Sequence, residues 1–294
     1  MTNAHGIDIS SYQGSPDIDK LCGKTDFLMM RHSIGLLDDK QFSRNWVQSE
    51  GKTLRGIYYV PHPSIKFESA KAKLREIFEF TPDFPIVLDI EISGVYIDLT
   101  YGLAGYVYSK TGKYPIIYTS PGFWRGLWGY ANGTHEKFFK NCPLWVAHYG
   151  AKQPDNVSPW GSDWTFWQYR VNNVWEEIED YGLRYWESKA LDMNWYKGTL
   201  EKLGEWVDTE APVEPPTTEP PQTASYVTVK DCQWLSFRSR PEAHDGDRPA
   251  IGAGVVCKVL ERQSGWLKVE LSGGDTGWIN ERYTGWAREI GYKG

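Results

Sequence analysis

The chain has 294 residues, enough for a barrel of about 200 to 250 residues with a small module besides, so two domains are expected. A net charge of −6 without a long Lys/Arg run excludes the electrostatic footprint of a nucleic-acid binder, and no stretch approaches about 18 consecutive apolar residues, which excludes a membrane-spanning helix. Aromatic residues make up 15% of the chain, with 15 Trp and 18 Tyr, more than a core requires and suited to stacking on flat ligands such as sugar rings.

The opening stretch "MTNAHGIDIS" has neither a basic n-region nor an apolar h-region, so no secretory signal is expected and the protein is made in the cytoplasm. Short β-rich apolar runs then recur in order: "GIDIS" (6–10), "FLMMRHS" (27–33), "RGIYYV" (55–60), "FPIVLDIE" (84–91), "YPIIYTS" (114–120), "PLWVAHY" (143–149), "DWTFWQY" (163–169) and "KALDMNW" (189–195). Helix-like stretches separate the first five, among them "SIKFESAKAKLREIFEF" and "YIDLTYGLAGYVYSKTGK". Strands alternating with helices imply parallel βαβ units, and eight such strands imply an α/β fold closed into a β/α, TIM-like barrel. The connection from Tyr149 to Asp163 is short, rich in Pro, Gly and Asn, and poor in helix formers. The barrel is therefore expected to be irregular, with eight strands and fewer helices.

Residues 208–225, "DTEAPVEPPTTEPPQTAS", are dominated by Pro and Thr and have no hydrophobic period, which describes an extended linker. It separates an expected catalytic barrel, 1–207, from a module at 226–294. That module reads as short strands, "YVTVK", "WLSFRSRP", "AGVVCKVLERQ", "GWLKVEL" and "TGWINERY", divided by Gly, Asp and Asn turns, the pattern of a small all-β barrel. Cys22, Cys142, Cys232 and Cys257 lie far apart without metal-ligand spacing, so reduced structural thiols are expected. A Cys232–Cys257 pairing inside the module stays open.

The informative residues are acids. "FPIVLDIE" ends with Asp89 and Glu91, and a period of two puts both side chains on one face with Cα atoms about 6.6 Å apart. Such a pair repels in a partly buried site, so one pKa rises and that group can act as an acid near neutrality. Asp8 and Asp192 sit in similar positions in strands one and eight, neighbours in a closed barrel, which gathers four acids at the rim where this architecture keeps its active sites. Acids at strand ends also serve as helix caps or ion-pair partners, and Arg31 is the evident cation nearby. Clustered carboxylates suit Ca²⁺ or Mg²⁺ as well, but nothing repeats like a calcium loop, so neither metal nor cofactor is expected. The same rim collects Tyr58, Tyr118, Trp145, His148, Trp167 and Gln168 as candidate substrate contacts, of which alternation turns about half into packing residues. Acids flanked by stacking rings point to glycoside hydrolysis.

Taken together, "GIDISSYQG", "LDIE", "YPIIYTS", "LWVAHYG", "WTFWQY" and "LDMNWY" resemble glycoside hydrolase family 25, the Chalaropsis-type lysozymes and many phage endolysins, over about residues 4 to 200. The resemblance implies an irregular barrel and N-acetylmuramidase activity on the β-1,4 bond between N-acetylmuramic acid and N-acetylglucosamine. It implies Glu91 as general acid, Asp89 as the residue steadying an intermediate formed by the substrate's own N-acetyl group, and Asp8 and Asp192 as further acids. Inversion by an activated water stays open. Where many relatives read Tyr-His-Phe after the third strand, this chain has "YYVPHPS". The module resembles a bacterial SH3 domain through "WLSFRSRP" and "SGWLKVELSGGDTGWINERY", which implies binding to peptidoglycan stem peptides or cross-bridges, with Trp266 and Trp278 either contact or core residues.

The functional expectation is a phage endolysin, held in the host cytoplasm until a separate membrane-permeabilising protein releases it to the wall, with peptidoglycan as partner and neither nucleic acid nor membrane insertion. The alternatives are a bacterial autolysin and a catalytically silent glycan-binding protein.

Overall fold

The computed structural model describes residues 2–184, 186–188, 190–209, 225–229, 234–241, 250–252, 255–263, 265–271 and 275–286. The chain separates into two compact units, Met1–Pro220 and Pro221–Gly294. In the first, nine strands and eight α-helices follow in the order β1 (His5–Ile9), α1 (Ile18–Cys22), β2 (Phe27–Ile34), β3 (Leu37–Asp38), α2 (Phe42–Gln48), β4 (Leu54–Val60), α3 (Phe67–Ile77), β5 (Val87–Asp89), α4 (Ile97–Thr111), β6 (Ile116–Thr119), α5 (Pro121–Trp128), α6 (Gly133–Phe139), β7 (Leu144–Ala147), β8 (Phe166–Asn172), α7 (Trp175–Glu179), β9 (Leu191–Tyr196) and α8 (Leu200–Thr209). Eight of these strands close a barrel in the order β1-β2-β4-β5-β6-β7-β8-β9, and β3 hangs on β2 as a short hairpin.

Two expectations need correction. The eight described helices do not number fewer than the barrel strands; they are unevenly placed, with both α5 and α6 in the β6–β7 connection and none between β7 and β8. In that helix-free loop, indoles do the holding: Trp124 donates from Nε1 to the Ser158 carbonyl at 2.6 Å, and Trp160 to the Cys142 carbonyl at 2.6 Å. The barrel is also not parallel throughout, because β9 runs antiparallel to both neighbours, β1 and β8. Among the described residues, the connection from β8 to β9 carries only α7, a single turn.

Alternation sorts each strand into two faces. Outward residues such as Ile7, Leu28, Met30, Ile57, Tyr59, Leu88 and Ile117 pack beneath the helices. Inward residues Phe27, Met29, Phe84, Val87, Ile116, Trp145, Phe166 and Tyr196 plug the barrel. Phe27 and Met29 reach the axis because two inward positions are glycine: a Cβ on Gly6 would lie 2.1 Å from the Phe27 ring, and one on Gly56 2.1 Å from Met29 Sδ. At the floor, Phe27 meets Phe84 and Phe166 edge-on, with centroids 5.9 and 5.4 Å apart. This dry plug confines the polar inward residues to the opposite mouth.

The linker expected at 208–225 begins later, since α8 takes in Asp208 and Thr209, and Ser225 opens the next strand; its interior, 210–224, lies outside the described residues. In the second unit, β10 (Ser225–Val229), β13 (Val256–Gln263), β14 (Trp266–Glu270), β15 (Thr276–Asn280) and β16 (Thr284–Trp286) form an antiparallel sheet in the order β15-β14-β13-β10-β16. The strands β11 (Trp234–Leu235) and β12 (Ile251–Gly252) pair separately. Val227, Phe237, Cys257, Leu267, Val269 and Ile279 are its core. Trp278 is buried, whereas Trp266 is half-buried with the Arg238 guanidinium 5.5 Å from its ring. Cys257 is a buried free thiol; Cys232 lies outside the described residues.

Phe166→Ala removes a fully buried ring from the floor, and we expect it to destabilise the first unit by about 3–5 kcal/mol in chemical denaturation. Phe138→Ala, at a partly buried ring packed on the outer face, should cost markedly less.

Candidate active site

At the mouth, the residues that continue the inward rows are polar: Asp8 on β1, Arg31 on β2, Tyr58 on β4, Asp89 ending β5, Tyr118 on β6, Gln168 on β8, and Asp192 and Asn194 on β9. All but Asn194, which is buried below them, line a cavity of about 190 Å³ with Glu91, Trp145, Tyr149, Ser10, Tyr12 and Gln13. All four expected acids are therefore brought together. Asp192 arrives by an unexpected route, since it stands near the start of β9; because that strand is reversed, its beginning lies beside the ends of the others. Asp8 and Asp192 are directly opposed Cα partners, which places their Cβ atoms about 4.5–5.5 Å apart.

Hydrogen bonds single out Asp8. Its Oδ2 accepts from Asn194 Nδ2 at 2.7 Å and from Gln168 Nε2 at 2.9 Å. Both amides are themselves oriented: Trp145 Nε1 donates to Asn194 Oδ1 at 2.8 Å, while the Tyr118 and Tyr149 hydroxyls donate to Gln168 Oε1 at 2.8 and 2.6 Å. Asp89 differs, for its Oδ1 is buried and has no hydrogen-bond partner. Arg31 is held by Asp39, with Nε and Nη2 each 2.9 Å from Oδ2, and by Ser11 Oγ at 3.1 Å. The exposed Tyr12 ring lies 5.0 Å from the same guanidinium.

Burial governs the electrostatics. It pushes Asp8 up to about 6, against the pull of the two amide donors. Burial and then the repulsion of Asp8 and Glu91 carry Asp192 to about 8. Asp89 is raised well above the carboxylate range by burial, reinforced by Glu91 and Asp8, with Arg31 opposing. Glu91 is raised by desolvation, again against Arg31. Burial thus raises all four carboxyls, with Asp8 at about 6 and Asp192 at about 8 falling on either side of neutrality. Among the described residues, no group of three or more His, Cys, Asp or Glu is placed to hold a metal ion.

Of the six expected contacts, Tyr58, Tyr118, Trp145 and Gln168 line this cavity. His148 lies in an adjoining, more open hollow of about 630 Å³ with Ser120, Arg125 and Asp155. The two hollows share Glu91, Tyr118 and Tyr149. Trp167 is corrected: one residue out of phase with Gln168, it points away from the cavity, packs near Trp164 and Tyr169, and donates to the His148 carbonyl at 2.9 Å. Asn194 was within reach of sequence reasoning, since the period of two that joins Asp89 to Glu91 also joins it to Asp192. Tyr12 and Gln13 sit in the "GIDISSYQG" stretch, on a short 3₁₀ turn (Ser11–Gln13) that carries no strand or helix signal.

Comparison with known proteins turns this arrangement into a family. The model for glycosyl hydrolases family 25 matches residues 7–178. The chain belongs to that family. It is a glycoside hydrolase, and the matched stretch contains three of the four acids, Asp8, Asp89 and Glu91. A protein of Escherichia coli, "Uncharacterized protein YegX", is 33% identical over 219 residues, spanning 69% of this chain and 73% of its own length. Among solved structures, the bacterial lysozyme of Streptomyces coelicolor shares the fold with a TM-score of 0.59 at 23% identity, covering 72% of this chain and all of its own. A family GH25 lysozyme from Aspergillus fumigatus does so with a TM-score of 0.55 at 21% identity, over 70% of this chain and 99% of its own.

The raised pKa values have a consequence for stability. Asp192 binds its proton more tightly folded than unfolded, so its contribution is greatest below about pH 4 and is lost as pH rises from its ordinary 3.8 through about 8. Asp192→Asn should therefore be more stable than the parent at pH 8.5, with the difference vanishing near pH 4, as read by thermal melts across that range.

Proposed function

We propose that the chain is an N-acetylmuramidase that hydrolyses the β-1,4 bond between N-acetylmuramic acid and N-acetylglucosamine in peptidoglycan, with Glu91 as general acid. The observation that carries this reading is the position of Glu91 where the two hollows meet, so that a glycan laid across both presents a glycosidic oxygen there. Glu91 is also the exposed member of the four acids, and its raised pKa suits proton donation near neutrality.

Asp89 is proposed to guide the substrate's own acetamido group. Its unpartnered Oδ1 lacks a donor, and the acetamido N–H is one. As Glu91 protonates the leaving oxygen, the acetamido carbonyl oxygen bonds to the anomeric carbon. The N–H bond to Asp89 favours the carboxylate just as positive charge develops on the oxazolinium. Water then opens the ring and returns a proton to Glu91. Asp8 and Asp192 complete the electrostatic frame, and Tyr58, Tyr118 and Trp145 form the apolar wall of the sugar site.

The second unit is proposed as an SH3-like, peptidoglycan-binding module and the whole as a phage endolysin that acts after release from the host cytoplasm. Supporting this are the SH3-like motifs, the second of which supplies β14 and β15 of the small antiparallel sheet, and the half-buried Trp266 beside Arg238. Tethering an enzyme to an insoluble substrate raises its local concentration, which gives the second unit a purpose that a bond-cleaving barrel alone does not supply.

Purified peptidoglycan should gain reducing ends, and Glu91→Gln should slow that gain by about 10²–10⁴-fold. Appearance of free amino groups instead would make the chain an amidase or peptidase. Proton NMR of the first-formed product should show retention of anomeric configuration; inversion would remove the acetamido step while leaving Glu91 as the acid. Residues 1–209 should cleave soluble wall fragments as the full chain does yet be retained less by intact walls; equal retention would remove the targeting role.

A further inference from the structure

Of the four clustered acids, Asp8 alone is shown here accepting two amide donors on a single oxygen, and both donors are fixed from behind. The indole of Trp145 has only a donor to offer, so its bond to Asn194 Oδ1 forces the Asn194 NH₂ toward Asp8 Oδ2. Gln168 is turned the same way by two tyrosine hydroxyls. Asn194 is fully buried and Asp8 nearly so, at 0% and 7% exposure, so fixed amides rather than mobile water hold this oxygen. A carboxylate with two N–H donors prefers to be ionised, and a protonated one would waste them.

We propose that Asn194 is a positioning residue: locked by the Trp145 indole, it fixes Asp8 as the resident anion of the cavity and so keeps the protons on its neighbours. The groups facing Asp8 are Asp192 across the β1–β9 pair, Asp89 and Glu91 from β5 and the residues after it, and the hydroxyls of Tyr58, Tyr118 and Tyr149. Arg31 on β2 is the cation lining the same cavity. Charge on Asp8 repels charge on Asp89 and on Asp192. Asp89 then stays neutral until a donor reaches its open oxygen; its proton passes to water at the cavity mouth, and ionisation is timed to substrate binding rather than present beforehand. The inference rests on the muramidase reading for this consequence; the charge on Asp8 does not depend on it.

The test is therefore made on the free full-length protein. Carboxyl ¹³C NMR follows the titration of Asp8, assigned by its loss in Asp8→Asn. In Asn194→Leu, which keeps the volume and removes the donor, the Asp8 midpoint should rise by about one pH unit. In Trp145→Phe, which frees the Asn194 amide to turn, it should rise by a smaller amount. Should Asn194→Leu fail to fold, Trp145→Phe carries the test alone. An unchanged midpoint in a folded variant overturns the proposal, even if activity falls, since a merely structural role lowers activity without moving the titration. In the active enzyme the acid limb of kcat/KM should move upward with the midpoint. If the chain cleaves no glycan, the muramidase reading fails while the titration still decides the role of Asn194.

Discussion

Four carboxyl groups share one small and largely buried cavity, and the cost of ionising them together sets the terms for the whole barrel mouth. In water each would be charged at neutral pH; here desolvation and mutual repulsion raise their pKa values and favour the protonated forms. Only selective compensation makes such a cluster usable. Asp8 receives two oriented amides, Arg31 favours charge on Asp89 and Glu91, and Asp192 receives neither form of help in comparable measure. The balance between protonated and ionised forms thus differs among chemically similar groups within one cavity. A glycosidase needs this, because donating a proton and stabilising a cation cannot be done by groups in the same state.

The fold makes the cluster possible in two ways. The plug of aromatic and aliphatic side chains beneath it, closed by Phe27 and Met29 lying over two glycines, seals the cavity from below. The reversal of β9 brings Asp192 opposite Asp8 and, two residues on, Asn194 beneath them. A parallel eighth strand would have exposed its last residues at the mouth instead. The antiparallel closure thus shapes the acid cluster as well as the topology.

Much of this was legible in the sequence because it rests on period. Each of the eight barrel strands overlaps one of the apolar runs, and the paired acids of "LDIE" point the way a period of two dictates. Tyr58, Tyr118, Trp145 and Gln168 turn inward for the same reason. The misses come from what period does not encode. Trp167 is one residue out of phase, and choosing between it and Gln168 requires knowing which face is inside. Strand direction is silent in the sequence, so "ALDMNW" reads alike in either sense, and the reversal becomes visible only through the pairing of β9. Tyr12, Arg125 and Asp155 lie off the strands, where position is set by tertiary contacts rather than by spacing.

The central claim is a division of protonation among chemically similar groups, and neutron diffraction from a deuterium-exchanged crystal at neutral pH observes it directly. The account predicts a deuteron on Asp192 and on Asp89 and none on Asp8, whose Oδ2 accepts from deuterated Asn194 and Gln168. A deuteron on Asp8, or four bare carboxylates, would contradict it.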